Sequence, residues 1–175
     1  FILAPMYVMV IANLVNMHSG FNGLASGMSI IIMTFLGLRS IMYSEYMHLL
    51  LLIPIFGATV AYYLYDRFPS KMIWGNVGCL MVGSAIGAYI IMTKAYWFGL
   101  FIFIPHIADF LMYVYILVTG KEFVKFGGIR KDGTIIAPNP LKMKFLFPYY
   151  WRLTEKQTVI LNYTLVIFFG TAALI

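Results

Sequence analysis

Long apolar segments alternate with short polar ones along almost the whole chain. Crossing a hydrocarbon core takes roughly 20 apolar residues in a helix, and an open strand would leave its backbone polar groups unpaired in lipid. The pattern therefore predicts an all-α polytopic membrane protein that forms a single transmembrane domain over residues 1–175. Two pairs of glycines, Gly23/Gly27 and Gly83/Gly87, predict close helix packing. We place about six transmembrane helices at Phe1–Asn16, Leu24–Leu38, Met47–Tyr65, Val77–Thr93, Tyr96–Thr119 and Thr158–Ile175.

Composition supports a membrane protein and excludes a soluble domain. Hydrophobic residues make up 62% of the 175 residues, charged residues only 10%, and the mean hydropathy is +0.90. A water-soluble fold could not bury this much apolar surface. The formal net charge is +6, but the basic residues lie in loops between apolar segments rather than along an amphipathic face. This distribution indicates membrane lipids or phosphate as partners, and no nucleic acid.

The loops fall into two sets, because consecutive spans emerge on alternate sides of a membrane. One set comprises residues 17–23, 66–76 and 120–157, and the other comprises residues 39–46 and the turn at Lys94. Under the positive-inside rule the more basic set is cytoplasmic. We expect the protein in a cell membrane or an endoplasmic reticulum membrane. The first set carries ten of the twelve basic residues, namely Arg67, Lys71, Lys121, Lys125, Arg130, Lys131, Lys142, Lys144, Arg152 and Lys156.

A polar, glycine-rich break separates the first two apolar segments and reads NLVNMHSGFNGLASG from Asn13 to Gly27. Asn13 and Asn16 share one face of a helix and offer amide oxygens that suit a hard cation such as Mg²⁺. Glycines let a ligand approach the backbone closely, and the next helix points its positive end at the loop. The break therefore suits a phosphate ligand, with an ordinary interfacial turn as the alternative.

A second turn of this kind opens the fourth apolar segment on the same side and reads PSKMIWGNVG from Pro69 to Gly78. Two helix N-termini that converge on one side could cradle a diphosphate. We include Trp74 among the candidate substrate-binding residues. Its alternative role is that of an aromatic anchor at the membrane interface.

Three stretches together resemble the polyprenyl-phosphate N-acetylhexosamine-1-phosphate transferases: NLVNMHSGFNGLASG, YDRFPSKMIWGNVGCLMVG and IPHIADFLMY, in this order. The likeness is closest to dolichyl-phosphate N-acetylglucosamine-phosphotransferases of archaeal and eukaryotic type. It implies the C-terminal part of a ten-helix transferase fold with a Mg²⁺ cofactor. The implied reaction moves N-acetylglucosamine-1-phosphate from UDP-N-acetylglucosamine to dolichyl phosphate and releases UMP. This reaction is the first step of lipid-linked oligosaccharide synthesis for N-glycosylation.

The resemblance also implies roles for single residues. Asn16 corresponds to a Mg²⁺ ligand, Asn13 to its neighbour in the catalytic pocket, and Gly20 and Asn22 to residues at the uracil. Asn76 stands where the family usually has a metal-binding aspartate, so we predict it as a second, catalytic metal ligand. An amide oxygen can bind Mg²⁺ but lacks the charge that offsets the metal, which is expected to weaken binding. Asn76 is either natural to the subtype or an inactivating change.

The loop at residues 120–157 corresponds to the family's sugar- and phosphate-recognition segment. The family commonly has an Arg/His cluster there, whereas this chain reads KFGGIRKDG from Lys125 to Gly133 and has no His in that stretch. We predict Lys125 and Arg130 as phosphate contacts, with a loop that binds lipid headgroups as the alternative. The family also has paired aspartates in an earlier loop, and nothing before Phe1 supplies them. We therefore expect a fragment that needs a missing N-terminal half, in cis or as a second chain.

Ionisable residues within apolar segments are further candidates, because charges inside lipid are rare and mark functional sites by default. His106 and Asp109 lie three residues apart and so share a helix face. We expect them to form a hydrogen-bonded His–Asp pair or to line the lower wall of the active cleft. His18, in the first loop, is expected to be exposed or to contact a substrate phosphate.

Other function classes remain open on sequence alone. A transporter would use broken helices and the pair His106/Asp109 as a path, but it predicts an inverted repeat that the sequence does not show. A non-catalytic subunit or degenerate homologue is favoured by Asn76 and by the missing aspartates. The identities of the UDP-sugar and the polyprenol are open, as is a possible homodimer.

Overall fold

The computed structural model describes residues 3–120 and 127–175, and most of these residues are helical. Among them, α2, α3, α4 and α8 are long and apolar enough to span a membrane, and the bent pair α5–α6 can count as a fifth span. The first helix, α1, is apolar but shorter. The all-α polytopic membrane fold is therefore confirmed. In chain order the elements are α1 (Leu3–Met17), α2 (Leu24–Met42), α3 (Tyr46–Asp66), α4 (Gly75–Met92), α5 (Tyr96–Ile102), α6 (Ile104–Thr119), β1 (Gly128–Ile129), β2 (Ile135–Ile136), α7 (Met143–Tyr150) and α8 (Glu155–Leu174).

The predicted fifth helix, Tyr96–Thr119, is broken in two, which corrects the expectation of one continuous span. The axes of α5 and α6 differ in direction by 65° across the break. Pro105 lies in the first turn of α6. Proline is favourable there because it has no N–H to satisfy, whereas inside a continuous helix its ring would clash with the preceding turn. The break places His106 and Asp109 in the first two turns of a new helix.

The long connection between α6 and α8 contains regular structure that its polar sequence did not predict. Strands β1 and β2 pair antiparallel, with Gly128 opposite Ile136 and Ile129 opposite Ile135. The short helix α7 follows the hairpin. Thr154 and Gln157 then form a capping box that begins α8. The described part of this connection is therefore a folded element that lies against the first loop.

Helices α1 and α4 approach closely through the glycine pair that the sequence singled out. A Cβ atom at Gly83 would lie 2.7 Å from the Cα of Ala12, and one at Gly87 would lie 3.1 Å from the Cα of Val8. Real Cβ atoms do not approach backbone atoms as closely as the first of these distances. The predicted packing role of Gly83 and Gly87 is confirmed.

We expect Gly83→Ala to lower the free energy of unfolding by about 1–3 kcal/mol, because the added methyl meets backbone that cannot move aside. Gly57→Ala, in α3, is the matched control, since a Cβ there meets nothing within 4 Å. In that open position alanine favours the helix by about 1 kcal/mol. Thermal unfolding of both variants in detergent measures the difference. Equal unfolding midpoints for the two variants would contradict the close packing of α1 on α4.

The loops sort onto two ends of the helical bundle, as the alternation of spans predicted. At one end the first loop touches both other members of its set. A Cβ at Gly23 would lie 3.1 Å from the Cα of Arg67, and one at Gly20 would lie 2.7 Å from the Nζ of Lys144. At the opposite end Arg39 forms an ion pair of 2.8 Å with Glu45. The three longer loops therefore form one continuous surface, which we call the loop face.

Candidate active site

The glycine-rich loop between α1 and α2 is held in place by α8. Gly20 and Gly23 have φ angles of +106° and +75°, a left-handed backbone that glycine adopts without steric cost. The Tyr163 hydroxyl donates a hydrogen bond of 2.5 Å to the Gly23 carbonyl oxygen. The backbone N–H of Asn22 donates one of 2.6 Å to the Glu155 carboxylate. The candidate uracil contacts Gly20 and Asn22 thus belong to a loop of defined shape.

A buried carboxylate that the sequence analysis did not single out joins the two glycine turns. Asp66, the last residue of α3, is 5% exposed and accepts a hydrogen bond of 2.5 Å from the Ser26 hydroxyl. The backbone N–H groups of Gly23 and Trp74 stabilise the same carboxylate. Because Gly23 ends the first loop and Trp74 ends the second, Asp66 fixes one relative to the other. Its sequence signal, an acidic residue that ends an apolar segment, is equally typical of a membrane interface.

The two asparagines at the end of α1 lie in different environments. The side-chain oxygen of Asn16 is buried and has no hydrogen-bond partner among residues 3–120 and 127–175. Asn13 is exposed, and its amide nitrogen donates a hydrogen bond of 2.8 Å to the Met9 carbonyl oxygen of its own helix. It lines an open, mainly apolar groove of about 670 Å³ between α1 and α4. Of the two, Asn16 therefore has the buried, uncommitted oxygen that suits a cation site.

The two candidate residues of the second glycine turn, Asn76 and Trp74, differ in their exposure to solvent. Asn76 is exposed in the first turn of α4, on the same end of the bundle at which α1 terminates. Trp74 is half-buried, and its ring stacks on Tyr62 with centroids 6.2 Å apart. A Cβ at Gly78 would lie 2.3 Å from the indole ring. Trp74 therefore packs the turn onto α3 and α4, and its role in substrate binding stays a prediction.

The predicted magnesium site would need a ligand to complete the coordination of the ion. Asn16 offers an orphaned oxygen, which is the hard donor that Mg²⁺ prefers. Within the described residues, no three His, Cys, Asp or Glu side chains lie together as a metal site. The predicted ligands Asn16 and Asn76 are neutral amides, so the ion would be held largely by oxygens of a bound diphosphate.

His18 is buried, which corrects the expectation of an exposed loop histidine. It is 1% exposed, and its Nε2 lies 3.1 Å from the side-chain oxygen of Asn162 in α8. Its ring packs edge-on against His106, with centroids 4.8 Å apart. Both ring nitrogens of His106 lack a hydrogen-bond partner in the described part of the chain. The two histidines and Asn162 thus form a buried polar cluster directly behind the glycine-rich loop.

The expected hydrogen-bonded pair of His106 and Asp109 is wrong, because the two side chains meet different neighbours. Asp109 is 1% exposed and accepts a hydrogen bond of 2.8 Å from the backbone N–H of Met143. Its other oxygen lies 3.2 Å from the Nζ of Lys142 in a buried ion pair. Sequence reasoning missed Lys142 because it counted this lysine only among the basic residues of the loop at 120–157.

The two basic residues predicted to contact phosphate cannot both be placed. Arg130 turns back onto its own hairpin, where its guanidinium donates hydrogen bonds of 2.6 Å to the Ile135 carbonyl oxygen and 3.3 Å to the Thr134 hydroxyl. Lys125 lies outside the described residues. A phosphate contact by either residue stays a prediction.

Stability should fall as the pH drops below about 6.5, the usual pKa of histidine. Burial lowers the pKa of His18, partly offset by Asp109, so the unfolded chain binds the proton first. Above the pKa of His18 in the unfolded chain, the neutral ring contributes its full share of stability. As the pH falls from this value toward the lower pKa of His18 in the folded chain, that contribution is lost at about 1.4 kcal/mol per pH unit. Chemical unfolding at several pH values should show that the stability advantage of the wild-type chain over His18→Gln shrinks on acidification. A constant difference would contradict the burial of a neutral His18.

Comparison with known proteins shows similarity to membrane transferases. Residues 1–94, more than half of the chain, match the family described as Glycosyl transferase family 4. The chain is 28% identical over 135 residues to the phospho-N-acetylmuramoyl-pentapeptide-transferase of Carboxydothermus hydrogenoformans, covering 74% of this chain and 42% of that protein.

Two archaeal relatives have names that assign them, provisionally, as UDP-N-acetylglucosamine–dolichyl-phosphate N-acetylglucosaminephosphotransferases. The one from Saccharolobus solfataricus is 28% identical over 178 residues, covering 99% of this chain and 54% of that protein. The one from Sulfolobus acidocaldarius is 29% identical over 138 residues, covering 75% of this chain and 40% of that protein. The chain thus spans about half the length of the curated relatives it matches.

Proposed function

We propose that this chain, which belongs to glycosyl transferase family 4, forms the nucleotide-binding part of a membrane enzyme that transfers an N-acetylhexosamine-1-phosphate from a UDP-sugar to a polyprenyl phosphate. The observation that carries the proposal is the loop face. There a glycine-rich loop of fixed shape adjoins the orphaned, buried oxygen of Asn16. The names of the relatives, which include transferases of N-acetylglucosamine phosphate, support the same reaction class.

The proposed reaction is a displacement at phosphorus. An oxygen of the lipid phosphate attacks the β-phosphorus of the UDP-sugar, the bond from that phosphorus to the bridging oxygen breaks, and UMP leaves with this oxygen. The product is a lipid diphosphate that carries the sugar. Mg²⁺, when bound, would neutralise charge on the diphosphate. Catalysis is then mostly positioning and charge stabilisation.

The chain's own residues would hold the donor substrate. Asn16 and Asn76 would direct amide oxygens at the cation. Gly20 and Asn22 would let the nucleotide approach the backbone of the loop, which Glu155 and Tyr163 hold in shape. Because the chain spans about half of its relatives, we propose that the remaining half supplies carboxylates and part of the acceptor site. N-acetylglucosamine and dolichyl phosphate are the proposed substrates, with the loop face in the cytoplasm.

A second candidate is a degenerate homologue that binds nucleotide without turnover. The neutral donor set favours it, since Asn76 and Asn16 bring no charge to a divalent cation. The two candidates differ in whether UMP is released. The natural full-length protein, purified in detergent, should therefore be supplied with dolichyl phosphate, Mg²⁺ and a panel of UDP-sugars that includes UDP-N-acetylglucosamine. Release of UMP from any of them supports the transferase.

We expect Asn76→Asp to lower the Mg²⁺ concentration needed for half-maximal UMP release by about tenfold, because a carboxylate adds the missing charge. Asn139→Asp is the matched control. It adds the same charge to the loop face, and its side chain can still accept the hydrogen bond from the Leu141 N–H. An inert natural protein with an active Asn76→Asp variant would identify a disabled enzyme. An unchanged Mg²⁺ requirement would remove Asn76 from the metal site.

A further inference from the structure

Two lysines are buried at the start of α7, although this helix belongs to a connection between spans. Lys142 is 6% exposed and Lys144 is 9% exposed. Burial of an ammonium group is unfavourable unless other groups compensate it. The fold therefore holds two cations at defined places, while other lysines of the loop face, such as Lys131 and Lys156, are exposed.

Asp109 anchors this part of the chain through two different atoms. It accepts the backbone N–H of Met143 at 2.8 Å and forms the 3.2 Å ion pair with Lys142. The Lys142 ammonium also lies 5.0 Å from the ring centroid of Tyr113, another residue of α6. The backbone of Met143 and the side chain of Lys142 are thus both bound to α6, so the first turn of α7 has little freedom to move.

Lys144 follows this anchor directly and reaches the glycine-rich loop. A Cβ at Gly20 would lie 2.7 Å from its Nζ, so the ammonium lies directly over the glycine that the proposed function assigns to the nucleotide. The same Nζ is 5.6 Å from the ring centroid of Phe21. A side chain at position 20 would displace Lys144, and the absence of one lets the cation lie on the loop backbone.

We propose that Asp109 is a positioning residue for nucleotide binding. By fixing the first turn of α7, it places Lys144 where the ammonium meets the phosphates of a uridine nucleotide whose base lies at Gly20 and Asn22. The inference rests on the proposed function of the glycine-rich loop. A lysine ammonium binds phosphate as a point charge, so its contribution depends on where the backbone holds it.

The first test measures the dissociation constant of UDP by calorimetry on the natural full-length protein in detergent with Mg²⁺. Lys144→Gln should weaken binding by about tenfold and reduce its dependence on salt concentration, while Lys144→Arg should restore most of the affinity. Lys156→Gln, which removes an exposed lysine at the start of α8, is the matched control and should leave the dissociation constant unchanged. Unchanged affinity in Lys144→Gln would overturn the proposal.

The second test separates positioning from folding. Asp109→Asn leaves Lys142 without its carboxylate and can destabilise the fold, so the double variant Asp109→Leu/Lys142→Met is measured beside it, because it buries no unpaired charge. In the double variant the Met143 N–H loses its acceptor, so we expect this variant to unfold somewhat below the parent temperature but to stay folded and to bind UDP about tenfold more weakly. Asp132→Asn removes an exposed carboxylate of the hairpin and serves as control.

The outcomes distinguish this inference from the function on which it rests. Parent affinity in the double variant would show that Asp109 only stabilises the fold, and would overturn the inference alone. If the unmodified full-length protein did not bind UDP, both the proposed function and this inference would be overturned. Weak binding in the double variant and in Lys144→Gln, with unchanged binding in both controls, supports Asp109 as the positioning residue.

Discussion

Asn16→Ala is expected to reduce UMP release by the natural full-length protein by about a hundredfold, the effect of removing one oxygen from a catalytic metal site. The Asn16 side-chain oxygen is buried, and the described residues offer it no hydrogen-bond partner. Replacing Asn16 by alanine therefore breaks no hydrogen bond that this oxygen accepts. We expect the unfolding temperature to stay close to that of the parent, so a loss of turnover would report on the site rather than on the fold.

The matched variant is Asn16→Asp, which keeps an oxygen at the same place and adds charge. It should retain turnover within about tenfold of the parent and need less Mg²⁺. UMP release and thermal unfolding are measured on the same preparations. If Asn16→Ala turned over at the parent rate, the orphaned oxygen would have no part in catalysis and the proposed site would be wrong.

Asp66→Ala should have the largest effect on stability, lowering the free energy of unfolding by about 3–5 kcal/mol. The carboxylate accepts hydrogen bonds from the Ser26 hydroxyl and from the backbone N–H groups of Gly23 and Trp74. Its loss leaves these donors without this acceptor. Both glycine turns should loosen together, because Asp66 is their shared contact.

Chemical unfolding in detergent measures this effect. Asp132→Ala is the control, since Asp132 is exposed and accepts hydrogen bonds only from Thr134 of its own turn among the described contacts. It should leave stability nearly unchanged. Asp66→Asn keeps an acceptor and should fall between the two. Equal stability of Asp66→Ala and Asp132→Ala would show that Asp66 does not join the turns.

The membrane fold could be predicted because apolar periodicity and segment length are local properties of the sequence. The break between α5 and α6 could not, because proline alone does not decide it. Pro54 lies inside the continuous helix α3, whereas Pro105 begins a new helix after a 65° bend. The difference comes from the surrounding packing, which no window of neighbouring residues contains.

The candidate site was predicted in part, and the gaps have the same cause. The loop with Asn16 and Gly20 is visible as a motif. The burial of His18 depends on Asn162, which is 144 positions away. The partner of Asp109 is Lys142, 33 positions away rather than the neighbouring His106. Helical spacing places two residues on one face, but it does not show which distant side chain that face meets.

The fate of the β-phosphorus tests the central claim most directly. The natural full-length protein is incubated with dolichyl phosphate, Mg²⁺ and UDP-N-acetylglucosamine labelled with ³²P in the β-phosphate, and the lipid and aqueous phases are separated. Transfer of the sugar phosphate predicts that the label enters the lipid phase as UMP accumulates in the water, and that Asn16→Ala blocks both. Label that stays in the water as UDP while the sugar enters the lipid, or no transfer at all, would contradict it.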